Sequence, residues 1–333
     1  MDTTSFARVE RVARTGSTST DLVGAAAAAP EAWPHLSALL ADHQDAGRGR
    51  SGRAWETPPG AALTASILLR PLVAPDQLGW ITLLAGLAVA RAVGGCRHLG
   101  VLGRPTPLGD GAAGAPGRAG ERVAPTGPGS AAPSTAGPAV ALKWPNDVLV
   151  RDAGPPLDGW GTDRKVAGVL TEVVPVAPAA GTGAGRNENG GAQDSADRAG
   201  RTAVVVGIGV NLTQGQADLP VPWATSLALA GLPVAEPMDL LGRIGAGLAA
   251  ILRAWEGEGG VAPPAAVRSA VHEACASIGQ EVRVDLPGGG TVTGTGTDLD
   301  DHGHLLVATA AGEVAVLAGD VVHLRGATAG PPG

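Results

Sequence analysis

Three arginines stand in one glycine-rich run, Gly47-Arg48-Gly49-Arg50-Ser51-Gly52-Arg53-Ala54-Trp55. Glycine lets a backbone turn tightly and approach a ligand closely. Arginine presents a planar fork of donors to phosphate or carboxylate oxygens. The run therefore suits a multiply charged phosphate compound held away from water. The blander reading is a basic surface turn. Gly47, Gly49 and Gly52 also fit the G-x-G-x-x-G spacing of dinucleotide-binding folds. That fingerprint needs an acidic residue about twenty positions on, and the first acid after Glu56 is Asp76. Nor does a dinucleotide loop need three arginines, because a helix N-terminus handles the pyrophosphate there. The match is accidental.

Three further patterns carry chemistry. Lys143-Trp144-Pro145-Asn146-Asp147 places a cation and a carboxylate around a Pro-Asn turn. A strand ending in such a turn accounts for most of it, but not for Trp144. Lys165-x-x-Gly168-x-x-x-Glu172 again pairs a cation with an acid, here on either side of a glycine. Gly207-Ile208-Gly209-Val210-Asn211-Leu212 runs from a strand into an amide. A fourth pattern fails. Asp298, Asp300 and Gly303 resemble part of an EF-hand loop, but His302 takes the third ligand position and Thr309 the last, where a bidentate Glu is required. A solvated turn is expected there.

These residues sit in a chain of 333 residues, 44% hydrophobic and only 2% aromatic. The length allows one large domain or two compact ones. A net charge of −7 argues against a general nucleic-acid binder. Cys96 and Cys275 lie far apart in apolar contexts and suggest no disulfide framework. The first residues, Met-Asp-Thr-Thr-Ser-Phe, lack the basic and apolar regions of a signal peptide. The most apolar window, Leu78 to Ala90, is too short to span a bilayer. A soluble cytoplasmic protein with no membrane role is expected.

The elements that must position the motifs can be read from periodicity. Residues 17–29 read as a helix capped by Ser17, Thr18 or Ser19. Residues 62–70 read as a buried strand and 76–94 as a buried helix. Short β-branched runs occur at 140–143, 147–151, 165–174 and 204–210. Leu240, Leu241, Ile244, Leu248, Ile251, Leu252 and Trp255 follow helical spacing, and a helix over 265–278 follows. Short strands joined by turns predict an α+β fold with a central mixed or antiparallel sheet. After Gly279, alternating runs to Leu324 predict a small C-terminal β-barrel of about 48 residues, with a domain boundary at 278/279. Residues 102–138 and 176–201 are rich in Gly, Pro, Ala and Ser, cannot bury enough apolar surface to order themselves, and read as disordered insertions extending hairpin-type loops.

Taken together, Ser17-Thr18, Gln44 with Gly47 to Trp55, Lys143 to Asp147, Lys165 to Glu172, Gly207 to Asn211, Trp223 to Leu227 and the small barrel resemble the biotin protein ligases. The resemblance covers the chain outside the two insertions. It implies a catalytic domain (1–278) of the biotin/lipoate ligase type, like a class II synthetase, and an SH3-like barrel (279–326). It implies that ATP activates biotin as biotinyl-5′-AMP, and that a lysine of a biotin carboxyl carrier protein domain of an acyl-CoA carboxylase then takes the biotin. Mg²⁺ should accompany ATP. By the same resemblance, Ser17, Thr18 and Gln44 contact the biotin ureido ring and Trp55 walls its tail, with Gly47, Arg48 and Gly168 around it. Arg50, Arg53 and Lys165 meet the adenylate phosphate, and Gly207, Asn211 and Trp223 surround the adenosine. Lys165, Arg50 and Asp147 form the catalytic set, Asp147 beside the incoming amine. No protein metal site is implied.

The chain departs from the family pattern in three places. Ser19 stands where the family has Asn, Ser51 where another arginine is common, and residues 152–164 lengthen the link from Asp147 to Lys165. Sixteen residues before Ser17 are too few for the winged helix of some relatives, so DNA binding is not expected. Two other readings remain: a lipoate ligase, and a non-catalytic sensor of biotinyl-AMP. Lys-Trp-Pro-Asn-Asp and Gly-Arg-Gly-Arg weigh against the first, and intact Lys165 and Asp147 against the second.

Overall fold

In a computed structural model, residues 5–94, 139–174 and 202–324 are described. The two Gly/Pro-rich insertions and Cys96 lie outside them. Seven strands form one sheet: β1 (Arg8–Val12), β2 (Ser37–Ala41), β3 (Ala62–Leu69), β4 (Val140–Lys143), β5 (Asp147–Val150), β6 (Arg164–Val173) and β7 (Val204–Asn211). Their order is β1-β2-β3-β7-β6-β5-β4. β1 and β2 pair in parallel and the other neighbours antiparallel, so the sheet is mixed as expected.

Period-two alternation divides the sheet into two faces. Val204, Val206, Ile208 and Val210 of β7 point into the main core, as do Ala65 and Ile67 of β3. Helices α2 (Gly79–Ala92) and α3 (Pro237–Gly257) supply the other half of that core. The seven apolar residues read at helical spacing on α3 are all buried. The opposite face carries α1 (Thr18–Ala28), whose Leu22 and Ala26 pack on Leu39, Leu68 and Val205. Polar and glycine positions share this face: Thr64 and Ser66 of β3 pair with Gly209 and Gly207 of β7, and Gly209 pairs with Gly168 of β6, itself paired with Asp147. One face is thus an apolar core and the other, beyond α1, an open floor.

Helix α4 (Ala265–Ala274) is shorter than the periodicity predicts, because Cys275 leaves the helix to bridge Leu142 and Ala276 N donates to Leu142 O at 2.7 Å. Beyond it come β8 (Glu281–Asp285), β9 (Thr291–Leu299), β10 (Leu305–Thr309), β11 (Gly312–Val316) and β12 (Asp320–His323). They form an antiparallel sheet in the order β11-β10-β9-β8-β12.

This second sheet sits firmly on the first. The β9–β10 turn, expected in solvent, is instead a contact between the two. Trp80 Nε1 donates to Asp301 O at 2.8 Å, Trp144 Nε1 to Gly303 O at 3.0 Å, and Gly303 is buried against Trp80 and Leu83. Apolar side chains of both sheets belong to one continuous cluster. The 102–138 insertion joins α2 to β4, not two strands, so the hairpin expectation fails there. The 176–201 insertion does join antiparallel neighbours, β6 and β7. Among the described residues, no helix is long and apolar enough to cross a membrane.

Candidate active site

A cleft of about 540 Å³ opens over the glycine-lined face of the seven-stranded sheet. That volume is in the usual range for a small-molecule site.

At one end, the start of α1 presents three buried hydroxyls, Ser17, Thr18 and Ser19. The Thr18 backbone N and Oγ1 both donate to Gln44 Oε1, at 2.7 and 3.0 Å. Thr18 Oγ1 and Ser19 Oγ each lie within hydrogen-bond distance of Ser66 Oγ, at 2.8 and 3.0 Å. A Cβ on Gly207 would fall 2.4 Å from Ser19 Oγ, so Gly207 adjoins this hydroxyl end. A buried cluster of hydroxyls and an amide can donate to and accept from a polar ring. Ser66 was not singled out in the sequence. Its signal was there: Thr64 and Ser66 break the apolar run of β3 at a spacing of two.

Trp55 lies across the bare sheet. A Cβ on Gly209 would come within 2.4 Å of its ring, and one on Gly168 within 3.4 Å. These glycines leave the space the indole occupies. Trp55 Nε1 is buried and has no hydrogen-bond partner among the described residues. Gly47 is equally fixed, since a Cβ there would meet Trp55 O at 2.3 Å.

The arginine loop folds over the cleft and is tied at both ends. Gly49 N donates to Arg53 O at 2.7 Å. Arg48 grips Glu172 through bonds of 2.8 and 2.9 Å. Arg53 pairs with Asp320 from the C-terminal sheet, and Ser51 Oγ donates to the same carboxylate at 3.3 Å. Ser51 has φ 54°, in the left-handed region. Burial pushes the Arg50 guanidinium below its ordinary value, while Asp320 and Asp147 act in the opposite sense. Asp320 had no local signal in the sequence.

Lys165 and Asp147 meet mid-cleft, Nζ to Oδ1 at 2.7 Å. The backbone of Lys165 bonds the segment ahead: Lys165 N donates to Trp223 O at 2.7 Å, and Thr225 N to Lys165 O at 2.8 Å. That pairing sets Trp223 beside the Lys165–Asp147 ion pair. Asn211 reinforces it, Nδ2 donating to Thr225 O at 2.9 Å while Oδ1 accepts from Gln214 at 3.0 Å. Asn211 thereby shapes the far wall of the cleft.

The Lys-Trp-Pro-Asn-Asp motif divides its labour. Trp144 is buried at the seam between the sheets, its backbone N donating to Ser277 Oγ at 3.2 Å. Asn146 ties to β6 through Val169 O at 3.1 Å. Lys143, to which no role was assigned, is only 6% exposed. Its ammonium lies 3.9 Å from the Trp160 ring centroid. Burial pulls it down from 10.5 to about 8, against the pull of Asp147. Trp160 in turn stacks on Trp223. A tryptophan between glycines in a chain so poor in aromatics was the available clue to Trp160.

Of the sequence-predicted residues, Ser17, Thr18, Gln44, Arg48, Arg50, Arg53, Trp55, Asp147, Lys165, Gly168, Gly207, Asn211 and Trp223 line this one cleft, while Gly47 lies behind Trp55 and does not. The arrangement offers cations and a carboxylate between a hydroxyl-rich pocket and an aromatic wall. It suits joining a carboxylate to a phosphate and then passing the acyl group to an amine.

Comparison with known proteins agrees. The biotin/lipoate A/B protein ligase family matches residues 13–185, and the biotin protein ligase C-terminal domain matches 277–324. The chain is 32% identical over 319 residues to the biotin–[acetyl-CoA-carboxylase] ligase of Mycobacterium tuberculosis (strain ATCC 25618 / H37Rv), covering 96% of this chain and 90% of that protein. It is 25% identical over 187 residues to the bifunctional ligase/repressor BirA of Bacillus subtilis (strain 168), covering 56% of this chain and 36% of that one. The solved biotin protein ligase from Aquifex aeolicus, in complex with biotin and ATP, shares the fold with a TM-score of 0.58 at 21% identity, covering 95% and 98% of the two chains.

Proposed function

Since the chain belongs to the biotin/lipoate A/B protein ligase family, we propose that its cleft activates biotin with ATP and passes it to a lysine of a biotin carboxyl carrier protein domain of an acyl-CoA carboxylase, in the cytoplasm. The observation that carries this reading is the Lys165–Asp147 pair, placed between the Ser17–Ser19 hydroxyls and Trp223 under an arginine loop.

In the first step a biotin carboxylate oxygen attacks the α-phosphorus of ATP, the bond to the β-phosphate oxygen breaks, and pyrophosphate leaves. Two anions must approach each other. Lys165, Arg50 and Arg53 offset their repulsion and stabilise the charge that develops between them. The hydroxyls with Gln44 hold the ureido ring, and Trp55 covers the tail. Loop closure keeps water from the mixed anhydride.

In the second step the ε-amine of the carrier lysine attacks the biotinyl carbonyl, and AMP leaves with the electron pair of the broken bond. Asp147 accepts or orients the amine proton. For this, its ion pair with Lys165 must loosen once the phosphate draws the ammonium away. Among the described residues no three His, Cys, Asp or Glu side chains cluster as metal ligands. Mg²⁺ enters with ATP, whose phosphates it neutralises.

The test is reconstitution with ATP, Mg²⁺, biotin and an apo carrier domain. The expected result is one biotinylated lysine with stoichiometric pyrophosphate. Transfer of lipoate alone would replace the biotin assignment. Tight binding of biotinyl-AMP without any labelled carrier would make the protein a sensor.

A further inference from the structure

The link between β5 and β6 is longer than a hairpin needs, yet it is firmly built. Leu157 and Gly161 exchange backbone hydrogen bonds of 2.8 and 2.7 Å, and Trp160 N donates to Leu157 O at 3.1 Å. Two buried charged groups pin its base. Asp163, 1% exposed, pairs with Arg151 at 3.2 Å. Arg164, 5% exposed, donates to Gly161 O at 3.1 Å and Asp163 O at 2.8 Å. Buried charges are retained only when partnered in this way.

The apex of this link is aimed at the cleft. Gly159 (φ 71°) and Gly161 (φ 54°) flank Trp160 in left-handed conformations, which side chains disfavour and glycine accepts. The turn delivers the Trp160 indole onto Trp223, ring planes 10° apart and centroids 5.8 Å apart. The Lys143 ammonium also lies over the Trp160 ring, 3.9 Å from its centroid. Lys143, Trp160 and Trp223 thus cluster in the lining of the cleft.

We infer that Trp160 is a nucleotide-selecting residue, which with Trp223 forms a two-ring clamp for the purine base of ATP. The inference rests on the ligase reading above and deepens it. A flat base between two rings needs about 7 Å between their planes, two van der Waals separations. Planes whose centroids are 5.8 Å apart must part by more than an ångström to admit it. The glycines on either side of Trp160 allow that rotation while the base of the link stays pinned. Stacking on two indoles favours the larger, more polarisable purines over pyrimidines. Lys143 adds a cation–π contact to Trp160.

The experiment measures biotin-dependent pyrophosphate release by the full chain. Trp160→Ala is expected to raise KM for ATP roughly tenfold, which equals about 1.4 kcal/mol and lies within the range for one base stack. KM for biotin should stay within about twofold, and Trp160→Phe should recover most of the ATP affinity. Discrimination of ATP against CTP should fall by a similar factor in Trp160→Ala. A Trp160→Ala protein with unchanged KM for ATP overturns the inference. So does a parallel rise in both KM values, which would mark Trp160 as a structural prop. If Trp160→Ala fails to fold, the Trp160→Phe and Trp160→Leu pair decides by the same criterion: Leu must lose ATP affinity relative to Phe. Failure of the wild-type chain to release pyrophosphate at all would instead sink the ligase reading.

Discussion

Lys143 shows how a side chain of ordinary type acquires an unusual state from its surroundings. Its amine is buried against Trp160 and held near 8, while in the unfolded chain it holds its proton to about 10.5. Between those values the unfolded chain binds more protons than the folded one. Stability therefore rises with pH across that window, and below it the full cost of the buried charge is present. Two to three pKa units correspond to about 3 kcal/mol. Lys143→Met should accordingly be more stable than wild type at pH 7, by about 1–3 kcal/mol. The gap should close toward pH 10, as read from urea midpoints. A gap independent of pH would show that the cost is steric.

Gly209 makes the converse point, since there the absence of a side chain matters. A Cβ would fall 2.4, 2.5 and 2.8 Å from three atoms of the Trp55 indole. Gly209→Ala should displace the ring, cost about 1–3 kcal/mol through overpacking, and raise KM for biotin at least severalfold in steady-state assays. Lost stability with KM unchanged would place Trp55 outside the substrate site.

At the scale of elements, the β9–β10 turn locks the C-terminal sheet to α2 and β4. Two indoles donate to neighbouring carbonyls, Trp80 to Asp301 and Trp144 to Gly303. Ser277 Oγ bonds both Trp144 N and, at 3.0 Å, His323 Nε2. Removing a donor from a buried carbonyl costs about 1–3 kcal/mol, so Trp144→Phe should lose about that much by urea denaturation. Because both indoles hold one turn, Trp80→Phe and Trp144→Phe should be non-additive by about 0.5 kcal/mol or more in a double-mutant cycle. Strict additivity would mean that the two bonds act on independent units. The seam also bears on the site, because Lys143 and Asp147 flank Trp144 in sequence, and Asp320, three residues before His323, holds Arg53 and Ser51.

At the scale of the whole molecule, the two sheets are expected to unfold together. Val282, Val284, Leu305 and Val307 of the C-terminal sheet share a single apolar cluster with Trp80, Leu84 and Val148. A sheet that short has little core of its own. Calorimetry should therefore give one transition with matching calorimetric and van't Hoff enthalpies. Two resolved transitions would show that the change of texture near residue 278 separates independent folding units.

Strands β3 to β7, the alternating runs of the C-terminal sheet, three of the four helices to within a few residues, and the motif residues that meet in the cleft were legible in the sequence, because each depends on neighbours close along the chain, whereas β1 and β2 were not read from it. The alternation Val206-Gly207-Ile208-Gly209-Val210 already states which residues face the core and which leave a floor. A run such as Gly47 to Trp55 already states that phosphate or carboxylate chemistry is near. What the tertiary structure alone decided involves partners far apart in sequence. Trp144, which a Pro-Asn turn left unaccounted for, anchors the seam, because its indole finds Gly303. Ser66 joined the hydroxyl cluster only once β3 lay beneath α1. Asp320 and Trp160 became cleft residues only when the second sheet and the long β5–β6 link packed over the first. Such contacts are set by how whole faces close on one another, and no local pattern of residue types carries that information.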